Sequence, residues 1–173
     1  MGKIHVLSSE VSNKIAAGEV VERPSSVIKE LVENSIDAGA TLISVEIKKG
    51  GSIYMRVSDN GSGMSEEDAK ICFLRHATSK VQTSSDLDAI YTLGFRGEAL
   101  SSIGAVAEVE LFTKRHEDET GVCVTCKGGE ILSSDEAGIP DGTSILVENL
   151  FFNTPARRKF LKKDATEAGY ITD

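Results

Sequence analysis

The stretch that decides the fold runs from Pro24 to Gly39 and reads PSSVIKELVENSIDAG. Proline is favoured in the first turn of a helix and glycine just after the last turn, so these residues mark the ends of one helix. The opposite faces of that helix differ in polarity, as expected for a helix that packs on a core. The apolar arc consists of Val27, Ile28, Leu31, Val32 and Ile36.

Two polar residues lie at the border of the apolar arc. Glu30 and Asn34 are one turn apart and therefore stack on the same side of the helix. A carboxylate and an amide in this position can reach into a cavity under the helix while the backbone stays covered. The helix by itself favours an ordinary half-exposed polar pair. The residues downstream favour a functional site.

Composition places the chain among globular proteins of one domain. Its 173 residues can bury a substantial core, and contents of 40% apolar and 27% charged residues are ordinary. The sequence shows neither a membrane-spanning run nor a signal-peptide pattern, so we expect a cytoplasmic protein without a membrane partner. The net charge of −8 argues against strong nucleic-acid binding by this domain alone.

The three cysteines are odd in number and favour a reducing compartment. Cys123 and Cys126 have the spacing of some zinc sites. However, their surroundings read as a strand, on which residues three apart point to opposite faces. The sequence offers no second pair or nearby histidine to complete four ligands, so we do not expect a metal there.

A second polar motif follows a predicted pair of strands over 43–48 and 53–58. The alternation continues so that Asp59 falls on the apolar side. A carboxylate on a core-facing position needs hydrogen-bond donors, so we expect Asp59 to bind something. Gly61 and Gly63 follow at once. Their lack of Cβ atoms suits either a sharp turn or the approach of a flat ligand.

The remaining pattern predicts further helices and strands around these motifs. Thr143 stands at the end of an inward-facing row, as Asp59 does. Small polar residues between 75 and 93 are typical of a functional lid or of a disordered segment. The glycine-rich stretch that follows suits either a phosphate chain or a plain junction between a loop and a helix. We expect helices over 9–17 (ending at Gly18), from about 65, after 97 and over 154–163, and strands over 106–114, 121–127, 130–134 and 142–147.

Four short motifs occur in the order found in the GHKL ATPases, the superfamily of type II topoisomerases, heat-shock chaperones, histidine kinases and MutL. Each motif is weak alone, but four in order are specific, and the sequence contains no P-loop motif. More narrowly, the chain resembles the MutL mismatch-repair family over nearly its whole length, apart from about 114–140. The four motifs are Glu30-x-x-x-Asn34, Asp59-x-Gly61-x-Gly63, Gly94–Gly97 and Gly142-Thr143, and the MutL-like stretches are 15–24, 30–40, 75–80, 94–100 and 153–161.

The resemblance implies an α+β two-layer sandwich, in which helices cover one face of a mixed, mostly antiparallel sheet. It implies that Glu30 is the general base for ATP hydrolysis, that Asn34 holds Mg²⁺ and that Asp59 reads adenine. Residues 75–97 would close over the phosphates. The full set of implied nucleotide contacts is Asn34, Asp59, Gly61, Gly63, Met64, Thr78, Ser79, Lys80, Gly94, Phe95, Arg96, Gly97, Glu98, Ala99, Leu100 and Thr143.

The resemblance also implies partners. In this family, ATP binding drives homodimerisation and passes a signal from a MutS-type mismatch-recognition protein to strand incision and excision. A basic stretch near the C-terminus either contacts DNA or belongs to a solvated helix that packs on a further subdomain of the family, with Phe160 and Leu161 facing the core. Its members are Arg157, Arg158, Lys159, Lys162 and Lys163.

The family carries a second subdomain that supplies a lysine to the γ-phosphate, and a C-terminal dimerisation domain. We find neither in residues 1–173, so we expect one ATPase subdomain of a longer protein, with weak hydrolysis when isolated. A non-hydrolysing ATP-binding module and another type of GHKL ATPase are the alternatives. Glu30 favours hydrolysis, because a module that only grips ATP does not need it.

Overall fold

The computed structural model describes residues 2, 4–74 and 99–173. The helices are α1 (Ser9–Val20), α2 (Pro24–Asp37), α3 (Glu66–Ile71), α4 (Ala99–Val106), α5 (Pro155–Phe160) and α6 (Asp164–Thr172). The strands are β1 (Ile43–Lys48), β2 (Tyr54–Asp59), β3 (Glu108–Lys114), β4 (Gly121–Lys127), β5 (Glu130–Ala137) and β6 (Gly142–Glu148). Among these helices, none is long and apolar enough to cross a membrane.

The strands form one sheet in the order β1-β2-β6-β3-β4-β5, and each pairing among them is antiparallel. On one face, α2 packs against β1 and β2, α4 against β3 and β4, and α3 against β4. Each fully buried aliphatic side chain of that face contributes about 1.5–3 kcal/mol. The predicted two-layer sandwich with helices on one face is confirmed. The buried row includes Met55, Val57, Val109, Leu111, Val124, Ile145 and Val147.

Helix α1 begins where the sequence predicts, because the Ser8 hydroxyl accepts a hydrogen bond from the Val11 amide at 3.3 Å. The predicted end at Gly18 is wrong, since the helix continues to Val20. Gly18 serves a packing role instead. A Cβ atom there would lie 1.2 Å from Nη2 of Arg157, so only glycine admits the guanidinium.

Helix α2 ends at Asp37, and Gly39 follows with φ of 75°, as the sequence predicts. The predicted apolar arc is only partly correct. Val27 and Leu31 are buried, but Ile36 is 51% exposed. Ser35 is the buried residue at that level, with 3% exposure. A polar side chain is tolerated there because its hydroxyl has a carboxylate partner, described below.

The C-terminal region differs most from the prediction. The single helix expected over 154–163 is broken, because Leu161 has extended backbone angles and a second helix, α6, begins at Asp164. Phe160 is 84% exposed, so its predicted core position is wrong, whereas Leu161 packs against the core.

The predicted bounds of two strands also need correction. Val106 ends α4 and does not begin β3, and β5 continues past Ser134 because its ladder with β4 extends to Ala137.

Candidate functional site

Three polar residues lie side by side at one end of the sheet. Asp59 of β2 is the register partner of Thr143 of β6, which is in turn the register partner of Thr113 of β3. Each continues an inward-facing row of buried residues, so all three are on the face that the helices cover. Thr113 is fully buried, and the other two are half-buried.

The Asp59 carboxylate accepts three hydrogen bonds from the protein. The Gly61 and Thr143 amides donate to Oδ1 at 2.8 and 3.3 Å, and the Ser35 hydroxyl donates to Oδ2 at 2.6 Å. The protein itself supplies donors to this carboxylate, as its inward position requires, and its predicted binding of a ligand stays a prediction. A carboxylate has about four acceptor sites, so Oδ2 retains capacity for one more donor.

Two threonine hydroxyls extend this network away from Asp59. The Met64 amide donates to Oγ1 of Thr113 at 2.8 Å, and Oγ1 of Thr113 lies 2.9 Å from Oγ1 of Thr143. The Thr113 hydroxyl can donate either to the Gly142 carbonyl at 3.3 Å or to Thr143, and in the second case the Thr143 proton is left for a ligand. The sequence analysis missed Thr113, although the alternation that identifies Thr143 also applies to the row Val109, Leu111, Thr113.

The glycines around Asp59 are required because other backbone segments of the protein lie too close to admit a Cβ atom. A Cβ atom on Gly61 would lie 2.9 Å from the Ala38 carbonyl oxygen, and one on Gly63, where φ is 68°, would lie 2.1 Å from the Lys114 carbonyl oxygen. Gly63 also has the positive φ of a sharp turn, whereas Gly61 is needed for the close approach of Ala38; the predicted contact of both glycines with a flat ligand stays a prediction.

We expect Gly142→Ala to disrupt the site. Gly142 has φ of 114°, and an added Cβ would lie 2.1 Å from the Asp59 carbonyl oxygen. The strained backbone alone costs about 1–3 kcal/mol, and Asp59 would have to move. Urea unfolding should therefore show a lower midpoint, and ATP binding should weaken. Gly138→Ala is the matched control, because a Cβ there meets nothing within 4 Å. Equal behaviour of the two variants would contradict this account.

Helix α2 is joined to this network. Glu30 and Asn34 lie one turn apart and are both half-buried. Ser35, the residue after Asn34, donates to Asp59, and the carbonyl of Ala38 beyond the helix accepts from the Ser62 amide at 2.9 Å. Ser35 and Ala38 therefore tie helix α2, which carries Glu30 and Asn34, to Asp59 and to the turn after β2.

Asn60 adds a further link that the sequence analysis missed. Its Oδ1 accepts from the Thr41 and Leu42 amides at 2.8 and 3.0 Å, and its Nδ2 donates to the Thr41 hydroxyl. These bonds join the turn after β2 to the connection between α2 and β1. An Asn at the start of a glycine turn is a signal for such backbone bonds.

The other predicted contacts divide into two groups. Ala99 and Leu100 form the first turn of α4, where the sequence predicts a helix to begin after the glycine-rich stretch. The rest lie outside the described residues, and their roles stay predictions. They are Thr78, Ser79, Lys80, Gly94, Phe95, Arg96, Gly97 and Glu98.

The donor set on α2 fits magnesium better than a metal held by protein alone. Within residues 4–74 and 99–173, no group of three or more His, Cys, Asp or Glu side chains is placed to hold an ion. Mg²⁺ usually keeps several waters and takes one or two protein oxygens together with substrate phosphates. An amide oxygen from Asn34 is compatible with that pattern.

The cysteines of β4 point to different faces. Cys126 is fully buried, whereas Cys123 is half-buried on the opposite side of the sheet. Burial raises the pKa of the Cys126 thiol to about 11 and also raises the pKa of the Cys123 thiol. Zinc sites use deprotonated thiolates that converge on one ion, and this pair does neither.

We expect iodoacetamide at pH 8 to label Cys123 well before Cys126. The Cys126 thiol is inaccessible, and a pKa of about 11 leaves only about one molecule in a thousand as the reactive thiolate. Peptide mass spectrometry over a time course would measure both rates, with labelling in urea as the reference for full reactivity. Rapid labelling of Cys126 in the folded protein would show that β4 opens easily.

The sequence over residues 22–154 matches the family described as histidine kinase-, DNA gyrase B-, and HSP90-like ATPase. The chain belongs to the GHKL ATPases. It is 55% identical, over 99% of its length, to the DNA mismatch repair protein MutL of Acidobacterium capsulatum, and 57% identical, over its full length, to the MutL of Caldanaerobacter subterraneus subsp. tengcongensis. It covers only 26% and 29% of those proteins.

Solved structures agree with this assignment. The Aquifex aeolicus MutL ATPase domain complexed with ADP superposes with a TM-score of 0.70 at 37% identity, covering 88% of this chain and 53% of that one. The N-terminal domain of a DNA repair protein gives a TM-score of 0.75 at 33% identity, covering 92% of this chain and 46% of that one. The predicted resemblance to the MutL N-terminal GHKL ATPase domain is confirmed.

Proposed function

We propose that this chain is the ATP-binding and ATP-hydrolysing domain of a MutL-type mismatch-repair protein. The observation that carries the proposal is the hydrogen-bonded unit of Asp59, Thr143 and Ser35. This unit joins a carboxylate suited to accept from the adenine amino group to the helix that carries Glu30 and Asn34. An ATPase domain of this family with bound ADP in a relative supports nucleotide as the ligand.

Adenine recognition is assigned to Asp59. Oδ2 of Asp59 accepts a hydrogen bond from the exocyclic amino group of adenine, using the site that the Ser35 hydroxyl leaves. The three donors on the carboxylate fix its direction. A base without an amino group at that position would leave the second acceptor site of Oδ2 unfilled, which disfavours its binding.

Hydrolysis is assigned to Glu30. Its carboxylate accepts the proton of the water that attacks the γ-phosphorus, while the bond from that phosphorus to the β-bridging oxygen breaks and the charge passes to ADP. Asn34 would hold Mg²⁺, which neutralises the phosphate oxygens. We propose slow turnover, since a lid over 75–97 and a lysine from outside residues 1–173 would both have to come into place.

The broader role follows the relatives. We propose that ATP binding dimerises the full-length protein in the cytoplasm and couples a MutS-type mismatch-recognition protein to strand incision and excision. DNA contact would be weak and would use the exposed side chains Arg158, Lys159, Lys162 and Lys163. Arg157 already donates to a backbone carbonyl of the protein.

Calorimetric titration of ATP, with and without Mg²⁺, together with a phosphate-release assay on the full-length protein, tests the proposal. We expect ATP binding that is tighter with Mg²⁺, followed by slow release of phosphate. Mg-independent binding without any phosphate release would identify a non-hydrolysing binding module, the alternative that the sequence left open. Failure to bind ATP would contradict the proposal altogether.

A further inference from the structure

The connection between α1 and α2, residues 21–23, leads directly into the helix with Glu30. Val21 is fully buried, and Arg23 is the residue that precedes the first turn of α2, although its side chain does not cap the helix. Two side chains from the C-terminal region, one before α6 and one within it, contact this connection. Neither contact was predictable from local sequence patterns.

The first contact is an ion pair between the buried carboxylate of Glu167 and the partly exposed guanidinium of Arg23. Glu167 of α6 is 2% exposed, and its Oε1 lies 3.6 Å from Nη1 of Arg23. Its Oε2 accepts from the Lys162 amide at 3.2 Å, and the Arg23 guanidinium lies 4.7 Å from the centre of the Tyr170 ring. Oε1 has no hydrogen-bond partner in the described part of the chain, so the charge of Arg23 at 3.6 Å is what offsets its burial, and this attraction holds Arg23 and α6 together.

The second contact comes from α5. Nη1 of Arg157 donates to the Val21 carbonyl at 3.2 Å. Its guanidinium passes over Gly18 so closely that a Cβ there would lie 1.2 Å from Nη2. Arg157 and Glu167 thus hold the connection from two elements, and we refer to them as the clamp.

Helix α6, which carries Glu167 of the clamp, is held in place by close packing. A Cβ on Gly50, in the turn between β1 and β2, would lie 2.7 Å from the Asp164 carbonyl oxygen at the start of α6. A Cβ on the neighbouring Gly51 would lie 2.7 Å from Pro24, the first residue of α2, and 3.3 Å from Ile171 of α6. Helix α6 is therefore packed tightly against both the sheet turn and the start of α2.

We infer that Glu167 and Arg157 are positioning residues for hydrolysis, an inference that rests on the proposed role of Glu30. The C-terminal end of α2 is fixed through Ser35 and Asp59. The clamp fixes its N-terminal end, about two turns before Glu30. Loss of the clamp lets that end shift, which displaces Glu30 relative to the attacking water but leaves Asp59 on β2 unchanged. A displacement of about 1 Å is enough to lower a rate strongly.

The test uses Glu167→Gln and Gly18→Ala in the full-length protein. The first removes the charge from the ion pair, and the second displaces the Arg157 guanidinium while adding a residue that favours helix. The readouts are the ATP dissociation constant and kcat per nucleotide-binding site, which loss of folded molecules does not alter. We expect kcat to fall about tenfold in both variants, with the dissociation constant within about threefold.

Matched controls separate positioning from general stability. Glu108→Gln removes a carboxylate that pairs with Lys127 at 3.1 Å on the sheet, and Gly169→Ala adds a Cβ that meets nothing within 4 Å in α6. Both controls should keep the wild-type kcat per site. Wild-type kcat in both clamp variants would overturn the inference. So would a parallel loss of ATP binding, because it would mean that the clamp only holds the domain together.

Amide exchange of residues 24–33 keeps the inference separate from the proposed function. If the wild-type protein binds ATP but releases no phosphate, the proposed function fails. The amide exchange rate of residues 24–33 then still shows whether the clamp fixes the N-terminal end of α2. Faster exchange of this segment in both clamp variants than in their controls supports it. Unchanged exchange overturns it.

Discussion

Glu30→Ala is expected to lower ATP hydrolysis by about a hundredfold or more while ATP affinity stays within about tenfold. The substitution removes the group that accepts a proton from the attacking water. It leaves adenine recognition intact, because Asp59 lies on β2 and has its own donors. Phosphate release and nucleotide titration on the full-length protein would measure the two quantities.

Glu33→Ala is the matched control for this prediction. Glu33 is a carboxylate on the same helix, and it forms a pair with Lys29 at 4.0 Å near the surface. Its removal should leave hydrolysis close to wild type. Equal losses of binding and hydrolysis in Glu30→Ala would instead show that Glu30 supports the structure of α2.

Asp59→Asn is expected to weaken ATP binding by about 30- to 150-fold, which corresponds to about 2–3 kcal/mol. The amide Oδ1 can still accept from the Gly61 and Thr143 backbone, and the Ser35 hydroxyl can rotate to accept from Nδ2. The new amide then presents an N–H where the adenine amino group also needs an acceptor. Two donors facing each other account for the loss.

Circular dichroism and calorimetry would separate binding from folding in this variant. The spectrum should remain native, since all three protein hydrogen bonds can be kept. Asp135→Asn, an exposed position on β5, is the control and should bind ATP as the wild type does. Normal ATP binding by Asp59→Asn would mean that another residue reads the adenine.

The sequence predicted the parts of the fold that local chemistry determines. The alternation of apolar and polar residues predicted β2 and β6. The proline and the glycine at the two ends of α2 predicted that helix. The inward position of Asp59 followed from counting along one strand. These features depend on spacing within a single element, where side-chain direction repeats with a fixed period.

The contacts between distant elements were not predictable in this way. Ser35 takes the level expected for Ile36 because Asp59, which lies on another element, provides its acceptor. The sequence pattern predicts a helix end at Gly18, yet the absence of a Cβ there makes room for the Arg157 guanidinium. The break at Leu161 and the buried Glu167 depend on α6 packing against the sheet turn. Tertiary partners decided each of these positions, and no local pattern encodes them.

The central claim is that the end of β2 binds the adenine of ATP. A crystal structure of the protein with Mg²⁺ and a non-hydrolysable ATP analogue tests it most directly. We expect the exocyclic amino group of adenine about 3 Å from Oδ2 of Asp59, with the γ-phosphate on the side of Glu30 and Asn34. An adenine ring bound elsewhere, with Asp59 contacting only protein, would contradict it.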